Sequence, residues 1–176
     1  MPPPYADLMT TSEAAPDQPV PTEREILGWQ EFGDASRELA RAVLASDFAP
    51  DVVVAVARGG LLPAAAIAYA LDVKVMGALN VEFYTGIDTR LTDPVVLPPL
   101  LDTDALVGKR ALVVDDVADT GETLALVLRL VAAHCVEARS AVLYAKPHAM
   151  IEPDLVWRRT ARWITFPWSA LPPVTR

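Results

Sequence analysis

Cysteine is almost missing from this 176-residue chain. A lone Cys135 rules out an intramolecular disulfide framework and a cysteine metal cluster. It lies in an apolar stretch of helical character, which points to a buried structural thiol rather than a nucleophile. Positive charge is scarce too. Fifteen Lys and Arg face 23 Asp and Glu, and the net charge of -8 disfavours non-specific binding to nucleic acid or to a membrane surface. Residues 1 to 25 hold five acids and one Arg, so half of that excess sits at the N-terminus and the remaining body is only mildly acidic. No apolar run reaches the length of a membrane span. The opening Met-Pro-Pro-Pro has neither the basic region nor the apolar core of a signal peptide. A soluble cytoplasmic protein is the expectation. The two histidines, His134 and His148, have no partner at ligand or triad spacing, and neither is assigned a role.

What is present is a hydrophobic content of 52%, enough for one domain with a proper core. Residues 1–21, rich in Pro, Ala, Thr and acids, read as a disordered tail, and 22–176 as a single domain. Phe32, Ala35, Leu39, Val43 and Leu44 recur at helical spacing over residues 29–46. Val52 to Ala57 is a Val-rich run with no charge inside it, as a strand buried on both faces requires. A helix is expected from about Leu62 to Leu71, with Pro63 in its first turn. Val73 to Tyr84 is strand-like, with an interruption near Gly77. Residues 85–105 show no clear period and hold Pro94, Pro98 and Pro99, which reads as a long loop. A strand at about 110–114, a helix to about Ala133, a strand at 140–145 and two short ones near 155–157 and 163–166 complete the pattern. Strands alternating with helices imply an α/β fold, a mostly parallel sheet flanked by helices. Ligands of such sheets bind beyond the carboxyl ends of the strands.

The chemistry concentrates at residues 111–124, Ala-Leu-Val-Val-Asp-Asp-Val-Ala-Asp-Thr-Gly-Glu-Thr-Leu. An apolar strand runs into Asp115 and Asp116, a turn carries Asp119, and Thr120, Gly121 and Thr123 open an apolar helix. A helix N-terminus offers backbone N–H groups and a positive dipole end to a phosphate. The Thr120 and Thr123 hydroxyls add donors, and Gly121 lets the backbone approach closely. The carboxylates would repel a phosphate. A sugar with two free hydroxyls and a divalent metal would satisfy them, so the pattern points to a ribose-5-phosphate ligand. No Gly-Lys-Ser/Thr follows, which excludes a Walker A loop. A plain strand-to-helix turn with Asp119 or Thr120 as N-cap and a metal-assisted phosphoacceptor site at the two adjacent acids are the competing readings. Arg58-Gly59-Gly60, at the end of the Val-rich strand, likewise reads either as an ordinary turn or as a diphosphate cradle.

The 111–124 string resembles the phosphoribosyl-pyrophosphate (PRPP) signature of type I phosphoribosyltransferases. The resemblance spans about residues 26 to 169 and extends to a group within that family, the bacterial and archaeal xanthine/guanine/hypoxanthine phosphoribosyltransferases. It implies that Asp115 and Asp116 hold the ribose hydroxyls, with Asp116 nearest the Mg²⁺ shell. Asp119, Thr120, Gly121, Glu122 and Thr123 would grip the 5'-phosphate, Asp119 would accept a proton from the base, and Arg58 and Gly59 would hold the pyrophosphate. Family members often have a strained peptide just before the position matching Gly59. Their counterpart of residues 85–105 is a flexible loop that closes over the site. Phe83-Tyr84-Thr85 resembles its start, although the Lys that some members carry there is missing and Arg90 is its only base.

Tyr144-Ala145-Lys146-Pro147 and Trp163-Ile164-Thr165-Phe166-Pro167-Trp168 resemble that group's base-binding elements, which implies a hood over about 146–169. Lys146 would donate to a 6-oxygen, Trp163 would stack on the ring, and the Ile164 carbonyl would accept from a 2-amino group. Trp157 and Trp168 read as core or interface. Relatives often have an acid where this chain has Ser169. Arg158, Arg159 and Arg162 form a basic cluster, read first as a solvated turn. The resemblance implies transfer of phosphoribosyl from PRPP to guanine, xanthine or hypoxanthine, with Mg²⁺ and a homodimer or homotetramer. Nucleic acid and membrane are not expected as partners. A PRPP-sensing regulator without catalysis and a transferase for a non-purine acceptor are the alternatives.

Overall fold

Uncharged, β-branched runs form the centre of the sheet, because strands covered on both faces leave no room for polar side chains. In the computed structural model residues 23–86, 89–96 and 101–175 are described, so the expected tail at 1–21 lies outside the described residues. In chain order the elements are β1 (Arg24–Ile26), α1 (Trp29–Ala45), β2 (Val52–Ala57), α2 (Leu61–Leu71), β3 (Met76–Gly86) and β4 (Thr89–Val96). A 3-10 turn at Asp104–Leu106 leads to β5 (Arg110–Ala118), α3 (Glu122–Ala132), β6 (Glu137–Ala145), β7 (Leu155–Arg159) and β8 (Trp163–Thr165). Six strands make one sheet in the order β4-β3-β2-β5-β6-β7, parallel except for the antiparallel β4. A separate parallel pair joins β1 to β8.

One apolar cluster combines α1, α2 and the C-terminal segment, with Phe32, Leu39, Val43 and Ile67 against Val53, Leu112 and Leu143. The second places Leu124, Val127 and Val131 of α3 against Val54, Val113 and Val142. Alternate residues of each central strand serve opposite clusters, as the two-residue side-chain period demands. Helices therefore cover both faces of a parallel sheet, as expected.

β1 is unexpected, β6 begins three residues early at Glu137, and four further segments differ from expectation. β3 begins at Met76, three residues late, and runs through Gly77 without a break. Gly77 is a close-packing position instead, since a Cβ there would sit 2.2 Å from Leu101 Cδ1. The expected loop at 85–105 contains β4, paired with β3 at Val81↔Val96 and Tyr84↔Arg90 through two register shifts. Those irregularities erase the alternation that would reveal a strand. Residues 87, 88 and 97–100 of that stretch lie outside the described residues. Third, β5 does not stop at Val114. Its pairing with β2 ends at Ala55↔Val114, but pairing with β6 continues through Asp115↔Val142 to Ala118↔Ala145. Fourth, α3 ends at Ala132, so Cys135 follows the helix rather than lying in it. It is half-buried, its Sγ is 3.3 Å from the Glu137 carbonyl oxygen, and burial pushes its thiol up. That leaves an inert, protonated thiol, in line with a structural role.

The chain leaves β2 in one direction, through β3 and β4, and returns across the sheet to β5, β6 and β7. The reversal puts a crevice beyond the carboxyl ends of β2 and β5, where ligands of such sheets bind.

Candidate active site

Both loops expected to bind phosphate follow the carboxyl ends of the paired strands β2 and β5. Arg58 is exposed just past β2, and Gly59 and Gly60 lead directly into α2. The peptide between Ala57 and Arg58 is cis, one bond earlier than the strained position expected before Gly59. The glycines are demanded by packing. A Cβ on Gly59 would come 2.2 Å from Asp116 Oδ2, and one on Gly60 would come 2.4 Å from the Val114 carbonyl oxygen. The β2 loop and the acidic end of β5 are thus in contact, so Arg58-Gly59-Gly60 is more than an ordinary surface turn.

Asp115 is buried and its Oδ1 accepts a hydrogen bond from the Asp116 N–H at 2.8 Å. Burial, and then the neighbouring Asp116 charge, hold the Asp115 carboxyl well above the usual range. Burial raises Asp116 as well. Two adjacent carboxyls, one buried and one half-buried, form a site that favours hydroxyl donors and positive charge. Among the described residues no group of three His, Cys, Asp or Glu could cage a metal. Carboxylate oxygens of this kind are the donors that a hard divalent ion takes.

β5 gives way to the turn at Asp119 and Thr120, both exposed. The N-cap of α3 is Gly121, with φ +83°, rather than Asp119 or Thr120. Such a φ favours glycine, and a Cβ there would also press to 2.6 Å on Ile151 Cγ2. No side chain caps the helix in the usual manner. The Thr120 hydroxyl accepts only a long bond, 3.4 Å, from the Glu122 N–H. An uncapped N-terminus, with Thr123 in its first turn, keeps N–H groups for an anion.

A cleft of about 550 Å³ adjoins this turn. Its apolar lining includes Val117, Trp163, Ile164 and Phe166, and its polar groups are Asp119, Lys146, His148 and Ser169. Lys146 is buried, and its Nζ donates to the Arg162 carbonyl oxygen, which fixes the ammonium beside the segment carrying Trp163. Trp163 is 59% exposed, as an open aromatic wall would be, whereas Ile164 is buried. Their strand is held from far away in sequence: Arg24↔Trp163 and Glu25↔Ile164 pair in register, and Arg162 meets Glu23 at 2.7 Å. Trp168 stacks on Phe166 at 4.9 Å and Trp157 meets Tyr144 edge-on at 5.5 Å, so both are packing residues, as expected.

The basic cluster resolves into ion pairs. Arg158 and Arg159 lie on β7, not in a turn. Arg158 bonds Glu25 at 2.9 Å and Glu31 at 3.1 Å, while Arg159 pairs with Glu152. Sequence reasoning missed one group, His148, whose Nε2 lies 3.2 Å from Asp119 Oδ1. No local spacing marks it, because the contact joins two separate turns. Ser169, where relatives often carry an acid, lines the cleft.

Comparison with known proteins identifies the family. The phosphoribosyl transferase domain family matches residues 23–172. The xanthine-guanine phosphoribosyltransferase of Idiomarina loihiensis is 34% identical over 145 residues, covering 81% of this chain and 85% of that protein. A purine phosphoribosyltransferase structure from Pyrococcus horikoshii superposes with a TM-score of 0.74 at 34% identity, covering 87% of this chain and 98% of that one. The xanthine-guanine-hypoxanthine phosphoribosyltransferase of Helicobacter pylori, at 23% identity and a TM-score of 0.70 over 84% of this chain and 94% of that one, shares the fold.

Proposed function

The chain belongs to the phosphoribosyl transferase family and is a phosphoribosyltransferase, and from that premise we propose that it moves the 5-phosphoribosyl group of PRPP onto a 6-oxopurine. In that reaction the bond from the sugar C1' to the pyrophosphate oxygen breaks and a bond from C1' to a base nitrogen forms. The base's other imidazole nitrogen gives its proton to Asp119. The products are a nucleoside 5'-monophosphate and pyrophosphate, which places the enzyme in purine salvage.

One observation carries the reading. Asp119 belongs both to the turn that follows the buried Asp115–Asp116 pair and to the cleft walled by Trp163 and Ile164. A group so placed reaches the junction of sugar and base. The turn from Asp119 through Thr120, Gly121, Glu122 and Thr123 holds the 5'-phosphate with backbone N–H groups and hydroxyls. Arg58 and the Gly59 backbone take the pyrophosphate, and Asp115 and Asp116 accept from the ribose hydroxyls. Asp116 would hold a bound Mg²⁺, which would supply charge neutralisation for the leaving diphosphate. Lys146 donates to the 6-oxygen, Trp163 stacks on the ring, and the Ile164 carbonyl reads the 2-position. No covalent nucleophile is required, since positioning and electrostatic stabilisation of the sugar cation suffice.

The segment 85–105 serves as the lid that keeps water from the sugar cation. The charge-free α2 exposes Leu61, Leu62 and Tyr69, which supports a homo-oligomer. Among the described residues no helix is long and apolar enough to cross a membrane, and with the acidic balance this supports a cytoplasmic enzyme.

The test supplies PRPP, Mg²⁺ and a panel of free bases, and identifies products by mass. Nucleoside monophosphates are expected from guanine, xanthine or hypoxanthine alone. Tight PRPP binding with no product from any base would favour a sensor, and product from a pyrimidine would reassign the acceptor. Asp119→Asn is expected to lower turnover at least a hundred-fold, the scale of a lost general base, while PRPP affinity is kept. Unchanged turnover would remove Asp119 from that role.

A further inference from the structure

The turn after β6 is laced to the turn after β5. The Lys146 N–H donates to the Ala118 carbonyl at 2.9 Å, and the Met150 N–H donates to the Thr120 carbonyl at 2.8 Å. Between these two bonds, at the matching position, His148 Nε2 lies 3.2 Å from Asp119 Oδ1. The turn closes on itself through the Ala149 N–H and the Lys146 carbonyl at 3.1 Å. Ile151, just beyond it, packs on Gly121 so closely that no Cβ fits there. The backbone thus sets where His148 stands, and both His148 and Asp119 face the same cleft.

From this arrangement we infer that His148 is a positioning residue for Asp119. Asp119 occupies an exposed turn, where a short carboxylate is free to sample several rotamers. An imidazole beside Oδ1 selects one of them and leaves the other oxygen to meet the base. The inference rests on the reading of Asp119 as proton acceptor. It assigns His148 no contact with the sugar or its phosphates, and no proton transfer of its own. His148 is solvent-facing, with 63% of its side chain accessible, and the backbone bonds that lace the two turns do not involve it. Its removal therefore leaves the fold and the phosphate loop in place.

The test is a double-mutant cycle with PRPP, Mg²⁺ and the best 6-oxopurine acceptor. His148→Ala is expected to lower kcat about five-fold, the scale of a solvent-exposed ion pair, with KM for PRPP unchanged. In an Asp119→Asn background the same change is expected to have no further effect on kcat. An unchanged kcat for His148→Ala would overturn the inference. So would a full five-fold loss that persists beside Asp119→Asn, or a change confined to KM for PRPP. If Asp119→Asn itself leaves turnover intact, the role of Asp119 fails instead, which separates the two outcomes.

Discussion

The two halves of the site are built in opposite ways. The sugar-phosphate half comes from consecutive residues at the ends of two central strands, with Asp115 buried and Gly59 and Gly60 fitted against β5. The base half is gathered from distant segments: β8 is held by β1, and Arg158 reaches Glu25, 133 residues away in sequence. Its aromatic wall, Trp163, stays largely open. On the proposed reading, the difference teaches that rigid, buried geometry is reserved for the part of the ligand that every phosphoribosyl transfer shares. The variable part, the base, meets side chains on the rim of the sheet, where substitution disturbs no core.

That contrast can be broken from its rigid side first. Gly60→Ala drives a methyl group toward two carbonyl oxygens, Val114 at 2.4 Å and Val56 at 2.6 Å. Neither carbonyl can yield without disturbing a central strand. Chemical denaturation is expected to show a loss of at least about 3 kcal/mol, the size of a severe packing or strain defect. A stable Gly60→Ala protein would mean that this half is plastic. On the open side, Trp163→Ala is expected to raise KM for the base about ten-fold, the scale of one lost stacking contact. Steady-state kinetics should leave KM for PRPP within two-fold, which is about the precision of such a ratio.

The smallest effect has the opposite sign. Asp115 has a carboxyl raised by burial, so the folded protein holds its proton to higher pH than the unfolded chain does. Stability from this group therefore falls as pH rises from the ordinary carboxylate value, about 3.9, through the raised one, and its cost is complete above that. Asp115→Asn removes the cost. At pH 7 and without ligand it is expected to raise Tm, as thermal unfolding followed by circular dichroism would show. The gain should shrink as pH is lowered toward 4. A Tm that falls in Asp115→Asn would show that the carboxyl is held by favourable contacts instead.

Legibility followed the same division. Residues 111–124 carry their geometry locally: strand, acids, turn and helix start are contiguous, so the fold's switch point and the frame of the proposed phosphate loop are readable. Even there the strand end was misplaced, because pairing with β6 extends β5 past the acids and no single-strand pattern reports a neighbour's reach. Lys146 and Trp163 were found by resemblance and do share the cleft, but their physical coupling, Lys146 Nζ to the Arg162 carbonyl, exists only in three dimensions. β4 was read as loop because register shifts break its alternation. His148 stayed unassigned because its partner belongs to another turn. Pairings across the chain, rather than residue types, were the missing information.

The account's central claim is that the sugar-phosphate half is complete before any base arrives. Its most direct test is calorimetric titration of PRPP with Mg²⁺ into the protein in the absence of base, for the wild type and for Trp163→Ala. The account predicts saturable binding with the same Kd in both. Absence of PRPP binding until a purine is added, or a Kd that weakens with Trp163→Ala, would contradict it.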